Sequence, residues 1–150
     1  MNQLHGHYFE DIRVGMSAVY SKTITDADIL LFSGVSGDTN PLHLDHDFAA
    51  STMFKSRIAH GMLSASLIST IFGTKLPGPG CVYLSQNLRF KAPVRSGDTV
   101  MAHATVQEIM PDKHRVKFDC VCKVGNTVVI EGDALIMVPS RPIAASVAAE

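Results

Sequence analysis

The chain has no apolar run close to the ~20 residues that a membrane-spanning helix needs. Hydrophobic residues fill 46% of its 150 positions, yet they are interrupted throughout, so no transmembrane helix is expected. An excess of either charge is missing as well. Thirteen Lys and Arg against fourteen Asp and Glu leave a formal net charge of -1. With the basic residues scattered, the electrostatic footprint of a nucleic-acid binder is absent. The stretch from Met1 to His7 has no basic segment followed by an apolar one, so no secretory signal is expected and the cytosol is the expected compartment. Cysteine is scarce: Cys81, Cys120 and Cys122 are an odd number, and the last two share one face of an apparent strand without disulfide geometry. They read as reduced packing residues. Internal repeats and low-complexity blocks are also missing, and 150 residues suit one domain with one core.

Polar chemistry is concentrated in Gly37-Asp38-Thr39-Asn40-Pro41-Leu42-His43-Leu44-Asp45. An acid and an imidazole are the residue types that handle protons near neutrality, since their reference pKa values are ~3.9 and ~6.5. Pro41 disfavours helical backbone at Asn40 and removes a donor, so the chain is expected to leave a helix here and re-enter extended, swinging His43 back toward Asp38. The same residue types are also the commonest turn formers, and a turn followed by an ordinary histidine is the alternative. Seven histidines raise the question of a metal, with His43 and His46 spaced H-x-x-H and His60 further on. Zinc sites of that spacing bring an inserted Glu or paired cysteines, which this chain lacks, so no metal is expected.

Along the chain, Ser17 to Ile24 has the β-branched and aromatic content of a strand and is placed at a sheet edge. Thr25-Asp26-Ala27-Asp28 matches a capping box and predicts a helix from Asp26, with Ile29, Leu30, Phe32 and Ser33 on one face and Gly34 and Gly37 fraying its end. Asp45 or Asp47 caps a short helix through Phe48 to Ala50. Gly61 to Phe72 is apolar nearly all round and predicts one buried helix, ended by Gly73 ahead of Pro77-Gly78-Pro79-Gly80. From Cys81 the period switches to two. Val82, Leu84, Leu88 and Phe90 share a parity, as do Val100 to Val106 and Val116 to Cys122, and Gly125-Asn126 turns the chain into Thr127 to Val138. Strands segregated from one buried helix give an α+β class, an antiparallel sheet wrapped around that helix. From Ser140 the tail is expected to be frayed, leaving residues 1–139 as the domain.

Phe32-Ser33-Gly34, the run from Ser36 to Asp45, Ile58-Ala59-His60-Gly61-Met62, Leu88 to Val94 and Gly97-Asp98 together resemble the MaoC-type (R)-specific enoyl-CoA hydratases. The similarity spans about Tyr8 to Val138 and is strongest to short single-domain members of polyhydroxyalkanoate metabolism. Two departures flank the motif: His46 and Arg57 stand where many members carry Pro. The resemblance implies a hot-dog fold and (R)-specific hydration of trans-2-enoyl-CoA, with no cofactor. It also implies a catalytic pair of Asp38 and His43, here with Asp38 as the preferred base. Gly61 N–H, at the start of the buried helix, is the expected donor to the thioester oxygen, because first-turn amides are unpaired and carry the positive end of the helix dipole. Asn40 and Ser69 are expected to support the pair. Arg57, Arg89, Lys91 and Arg95 are candidates for the coenzyme A phosphates, and Met53, Phe54 and Leu67 for the floor of the acyl pocket. A homodimer is expected, because a lone sheet leaves an edge strand unpaired. The alternatives are a hot-dog acyl-CoA thioesterase and a non-catalytic acyl-CoA binding module on the same scaffold.

Overall fold

The computed structural model describes residues 4–142, so the remainder of the expected frayed tail, residues 143–150, lies outside the described residues. Five strands form one antiparallel sheet: β1 (Ser17–Thr23), β2 (Val82–Phe90), β3 (Thr99–Met110), β4 (Arg115–Val124) and β5 (Thr127–Met137). Their spatial order is β1-β3-β4-β5-β2, which leaves β1 and β2 as edges. The helices are α1 (Asp26–Ser36), α2 (Pro41–Leu44), α3 (His46–Ser51) and α4 (Gly61–Thr74).

The capping box forms as read. Thr25 Oγ1 accepts from Asp28 N at 3.1 Å, and an Asp28 carboxylate oxygen accepts from Thr25 N at 2.9 Å. Gly34 does not fray α1. The helix continues to Ser36 and closes at Gly37, whose φ of 77° is left-handed backbone that glycine adopts freely. Of the expected apolar face, Ile29 and Ser33 are buried and Phe32 packs against the core, but Leu30 faces outward. Asp45 is the cap of α3, accepting from Phe48 N at 2.9 Å. Pro41 does not send the chain out extended. It is the first residue of α2, where its missing N–H costs nothing, and Asn40 Oδ1 caps that turn by accepting from Leu42 N at 3.0 Å.

The core lies between α4 and one face of the sheet. Ile68, Ile71 and Phe72 pack toward Val100, Ala102, Ala104, Phe118, Cys120, Ile130 and Ile136, all nearly solvent-free. Ala104, Cys120 and Gly132 stand opposite one another across β3, β4 and β5, a row of small residues beneath the helix. The three cysteines are free thiols; burial pushes Cys120 and Cys122 up to about 12, which keeps them protonated packing groups at neutral pH. Contrary to the all-round burial expected of α4, Met62, Ser66, Ser69 and Gly73 are exposed, because a single sheet covers only one side of the helix. The helix also runs one residue past Gly73. At the other end of the described chain, Arg141 is tied down: its guanidinium is 2.6 Å from Asp11, and its amide donates to Glu10 at 3.0 Å.

Candidate active site

Asp38 and His43 leave two consecutive helices and meet. Asp38 follows the Gly37 closure of α1, donating its amide to Ser36 Oγ at 3.2 Å and accepting from Asn40 N at 3.2 Å through Oδ1. Its side chain is 53% exposed, so the carboxylate faces solvent and the cavity described below. His43 sits in α2 and is buried, with Nδ1 2.8 Å from the carbonyl oxygen of Ile58. A carbonyl only accepts, so the Nδ1 hydrogen is committed to Ile58 and Nε2 is left as an acceptor. That Nε2 lies 4.0 Å from Asp38 Oδ2, beyond direct hydrogen-bond reach. Two acceptors therefore face one another across a gap of the width that one two-hydrogen donor fills.

The pair opens on a cavity of about 460 Å³, lined on the polar side by Asp38, His43, His60 and Gly61, and otherwise by Met53, Phe54, Phe90, Pro93, Val129 and other apolar residues. Gly61 is the first residue of α4, and no side-chain cap covers that turn, so its amide is one of the four a helix start leaves without intrahelical acceptors. A Cβ on Gly61 would come within 2.6 Å of the Phe90 ring, so a larger residue here would have to push that half-exposed ring aside.

Residues 11–132 match the family model described as MaoC like domain. The chain belongs to the MaoC-like family. It is 58% identical to an (R)-specific enoyl-CoA hydratase of Rhodospirillum rubrum, over 90% of this chain and 94% of that protein. Among solved structures, R-hydratase PhaJ1 from Pseudomonas aeruginosa superposes with a TM-score of 0.85 at 44% identity, covering 91% of this chain and 88% of that one. The (R)-hydratase from A. caviae involved in PHA biosynthesis does so at 0.83 and 40% identity, covering 87% of this chain and 99% of that one. The hot-dog architecture expected of the sequence is thus the fold of this MaoC-like chain.

Within the MaoC-like domain the other expected site residues separate. Asn40 stays beside the pair, bonding Asp38 and capping the helix that carries His43. Ser69 does not reach it in a single chain: it lies on the exposed stripe of α4, two turns beyond Gly61, and does not line the cavity. Arg57 is engaged by Asp26 at 3.0 Å, and Arg95 braces the segment holding Phe54 by donating to Ser56 Oγ at 2.8 Å and to the Phe54 carbonyl at 2.9 Å. Arg89 is 81% exposed and points to the outer sheet face. Lys91 alone of the four basic candidates lines the cavity, 3.3 Å from Glu131. Met53 and Phe54 line it as expected, whereas Leu67 is in the core.

Sequence reasoning missed the side chain of His60, and with it Ser33 and Ser64. His60 is buried against His43, Ser33 Oγ lies 3.2 Å from His60 Nε2, and Ser64 is buried in the cavity wall. One signal was available: a histidine occupies the cap position of a buried helix, where Ser, Thr, Asp or Asn is usual. Asp38, His43 and His60 each present one potential ligand atom within 4.8 Å of the others. They do not make a good metal site. The carbonyl bonds at His43 Nδ1 and His60 Nε2 leave His43 Nε2 and His60 Nδ1 open, but the two rings lie face to face, 3.8 Å between centroids and 30° between planes, so their in-plane lone pairs do not converge as tetrahedral zinc ligands do.

Proposed function

We propose that this chain hydrates trans-2-enoyl-CoA to (R)-3-hydroxyacyl-CoA and, by microscopic reversibility, dehydrates the product. The observation that carries the reading is the 4.0 Å gap between Asp38 Oδ2 and His43 Nε2 at the mouth of an apolar cavity. Water is the donor that satisfies two such acceptors at once, giving one hydrogen to each. Asp38 takes its proton as the oxygen bonds to C3, while the other hydrogen stays directed at His43 Nε2. Electron density moves through C2 to the thioester oxygen, which the Gly61 amide and the N-terminal end of α4 stabilise. Asp38 then returns the proton to C2 from the same face. The addition is syn, atoms balance, and the pair ends as it began, so the reaction calls for no cofactor.

Lys91 is the residue we assign to the coenzyme A phosphates, because it lines the cavity and its pair with Glu131 is half-exposed, whereas Arg57 and Arg95 do not line it and brace other segments of the chain. The similarity to hydratases from Rhodospirillum rubrum and A. caviae supports both the reaction and its R stereochemistry, and the latter supports a place in PHA biosynthesis. We further propose a homodimer, formed by pairing the β2 edges, where Val82, Tyr83 and Leu84 are exposed. The cytosolic setting stays part of this reading, supported by free thiols at all three cysteines; no helix among the described residues is long and apolar enough to cross a membrane.

Crotonyl-CoA separates hydration from the thioesterase and binding alternatives. The expected result is loss of the conjugated double bond and formation of (R)-3-hydroxybutyryl-CoA without thiol release. Free coenzyme A without hydration would identify a thioesterase, and binding without turnover across a chain-length series would identify a binding module.

A further inference from the structure

His60 is a buried imidazole that the hydration steps above do not use. It is 2% exposed and stands immediately before α4, yet it gives no cap bond to that helix. Its Nε2 lies 3.0 Å from the carbonyl oxygen of Asp38 and 3.2 Å from Ser33 Oγ. Its ring faces the His43 ring at 3.8 Å between centroids and is also met by Phe32 at 4.9 Å. Because a carbonyl can only accept, the hydrogen of this ring belongs on Nε2, shared between Asp38 and Ser33, and Nδ1 is bare. Nδ1 is buried and has no hydrogen-bond partner among the described residues.

We propose that His60 is a positioning residue that sets the separation of Asp38 and His43, an inference that rests on the assignment of those two as the hydration pair. Each member has a freedom that contact with His60 restricts. His43 is pinned at Nδ1 by Ile58, but a ring held at one nitrogen still pivots about that bond; contact with the flat face of His60 fixes its tilt and so the direction of the Nε2 lone pair. Asp38 follows a left-handed closure in an exposed turn, and its bonds to Ser36 and Asn40 are local, within two residues. The bond from His60 ties its main chain to the start of α4, the same point that supplies the Gly61 amide. One imidazole thereby holds Asp38, His43 and the oxyanion donor in a common frame. Misplacement by ~1 Å in such a frame costs about 100-fold in rate.

Two variants divide the role: His60→Gln keeps an N–H donor and loses the ring, and His60→Phe keeps a flat ring and loses the donor. With crotonyl-CoA, each is expected to lower kcat by about 10- to 100-fold while KM moves by less than about threefold, a split that a general loss of folded protein does not produce. In a His43→Gln background, His60→Phe is expected to cost less than about twofold more, because its effect runs through the pair. Folded His60→Gln and His60→Phe enzymes with kcat within about twofold of the parent would overturn the proposal. If Asp38→Asn and His43→Gln lose activity while the His60 variants keep it, His60 alone is misassigned; if all four keep it, the hydration pair itself is wrong. Should the His60 variants fail to fold, ¹⁵N resonances of the imidazoles in the unsubstituted protein decide. A hydrogen on His60 Nε2 is the expected tautomer, and one fixed on Nδ1 would overturn the assignment.

Discussion

Asp28 accepts from the amide and the hydroxyl of Thr25, each at 2.9 Å, and stands 3.1 Å from the Lys22 ammonium. The Thr25 amide has the largest effect and lowers the carboxyl; burial, next in size, raises it, and the Thr25 hydroxyl and Lys22 add enough to keep it below its usual range. A carboxyl lowered on folding contributes stability that is present above the unfolded value of ~3.9 and is lost as pH falls through the folded value. Asp28→Asn should therefore cost about 1 kcal/mol in urea melts at neutral pH and progressively less below about pH 4. An equal deficit at both pH values would contradict this account of the cap. Single residues were legible where their chemistry is local: Thr25 with Asp28, and Asp38 and His43 through their shared motif. Arg57 and Arg95 were not, because their partners Asp26 and Ser56 lie 31 and 39 residues away in the chain. His60 was hidden for the same reason, since its contacts to Ser33 and Asp38 exist only once α1 and α4 are packed.

Elements were legible by period, and the misreadings fall where one backbone irregularity resets it. Alternation placed Val82, Leu84, Leu88 and Phe90 on one face of β2. The pairing with β5 instead shifts between Tyr83 and Ser85, so Leu84 is extra and Tyr83, not Val82, faces inward, edge-on to Phe72 at 5.1 Å. Pro41 was read as a helix breaker, although at a first helical position it is a helix starter, and only the placement of the Asn40 cap tells the two apart. The bulge leaves β2 as an apolar edge on which Val82 and Leu84 are exposed and part of the inward-turned Tyr83 stays accessible, while the other edge, β1, carries Ser17, Ser21 and Lys22. Leu84→Lys should accordingly shift sedimentation from a dimer toward a 16.2 kDa monomer and lower activity in parallel. A parent protein that sediments as a fully active monomer would refute the edge pairing.

At the scale of the molecule, the cavity belongs to no single segment. The end of α1 and the one-turn α2 bring Asp38 and His43, the start of α4 brings His60 and Gly61, the end of β2 brings Phe90 and Lys91, and β5 brings Val129 and Ile130. Composition and period were sufficient for an α+β sheet around one helix; the strand order, the exposed stripe of α4 and the convergence of these five segments depend on long-range pairing that no local pattern encodes. The central claim is that Asp38 and His43 share one water in that cavity. Steady-state hydration of crotonyl-CoA by folded Asp38→Asn, His43→Gln and the double variant tests it most directly. Each single substitution should lower kcat by about 100-fold or more, and the double variant should be little worse than either, since the two residues act as one unit. A single variant with kcat near that of the parent, or losses that multiply in the double variant, would contradict the shared-water pair.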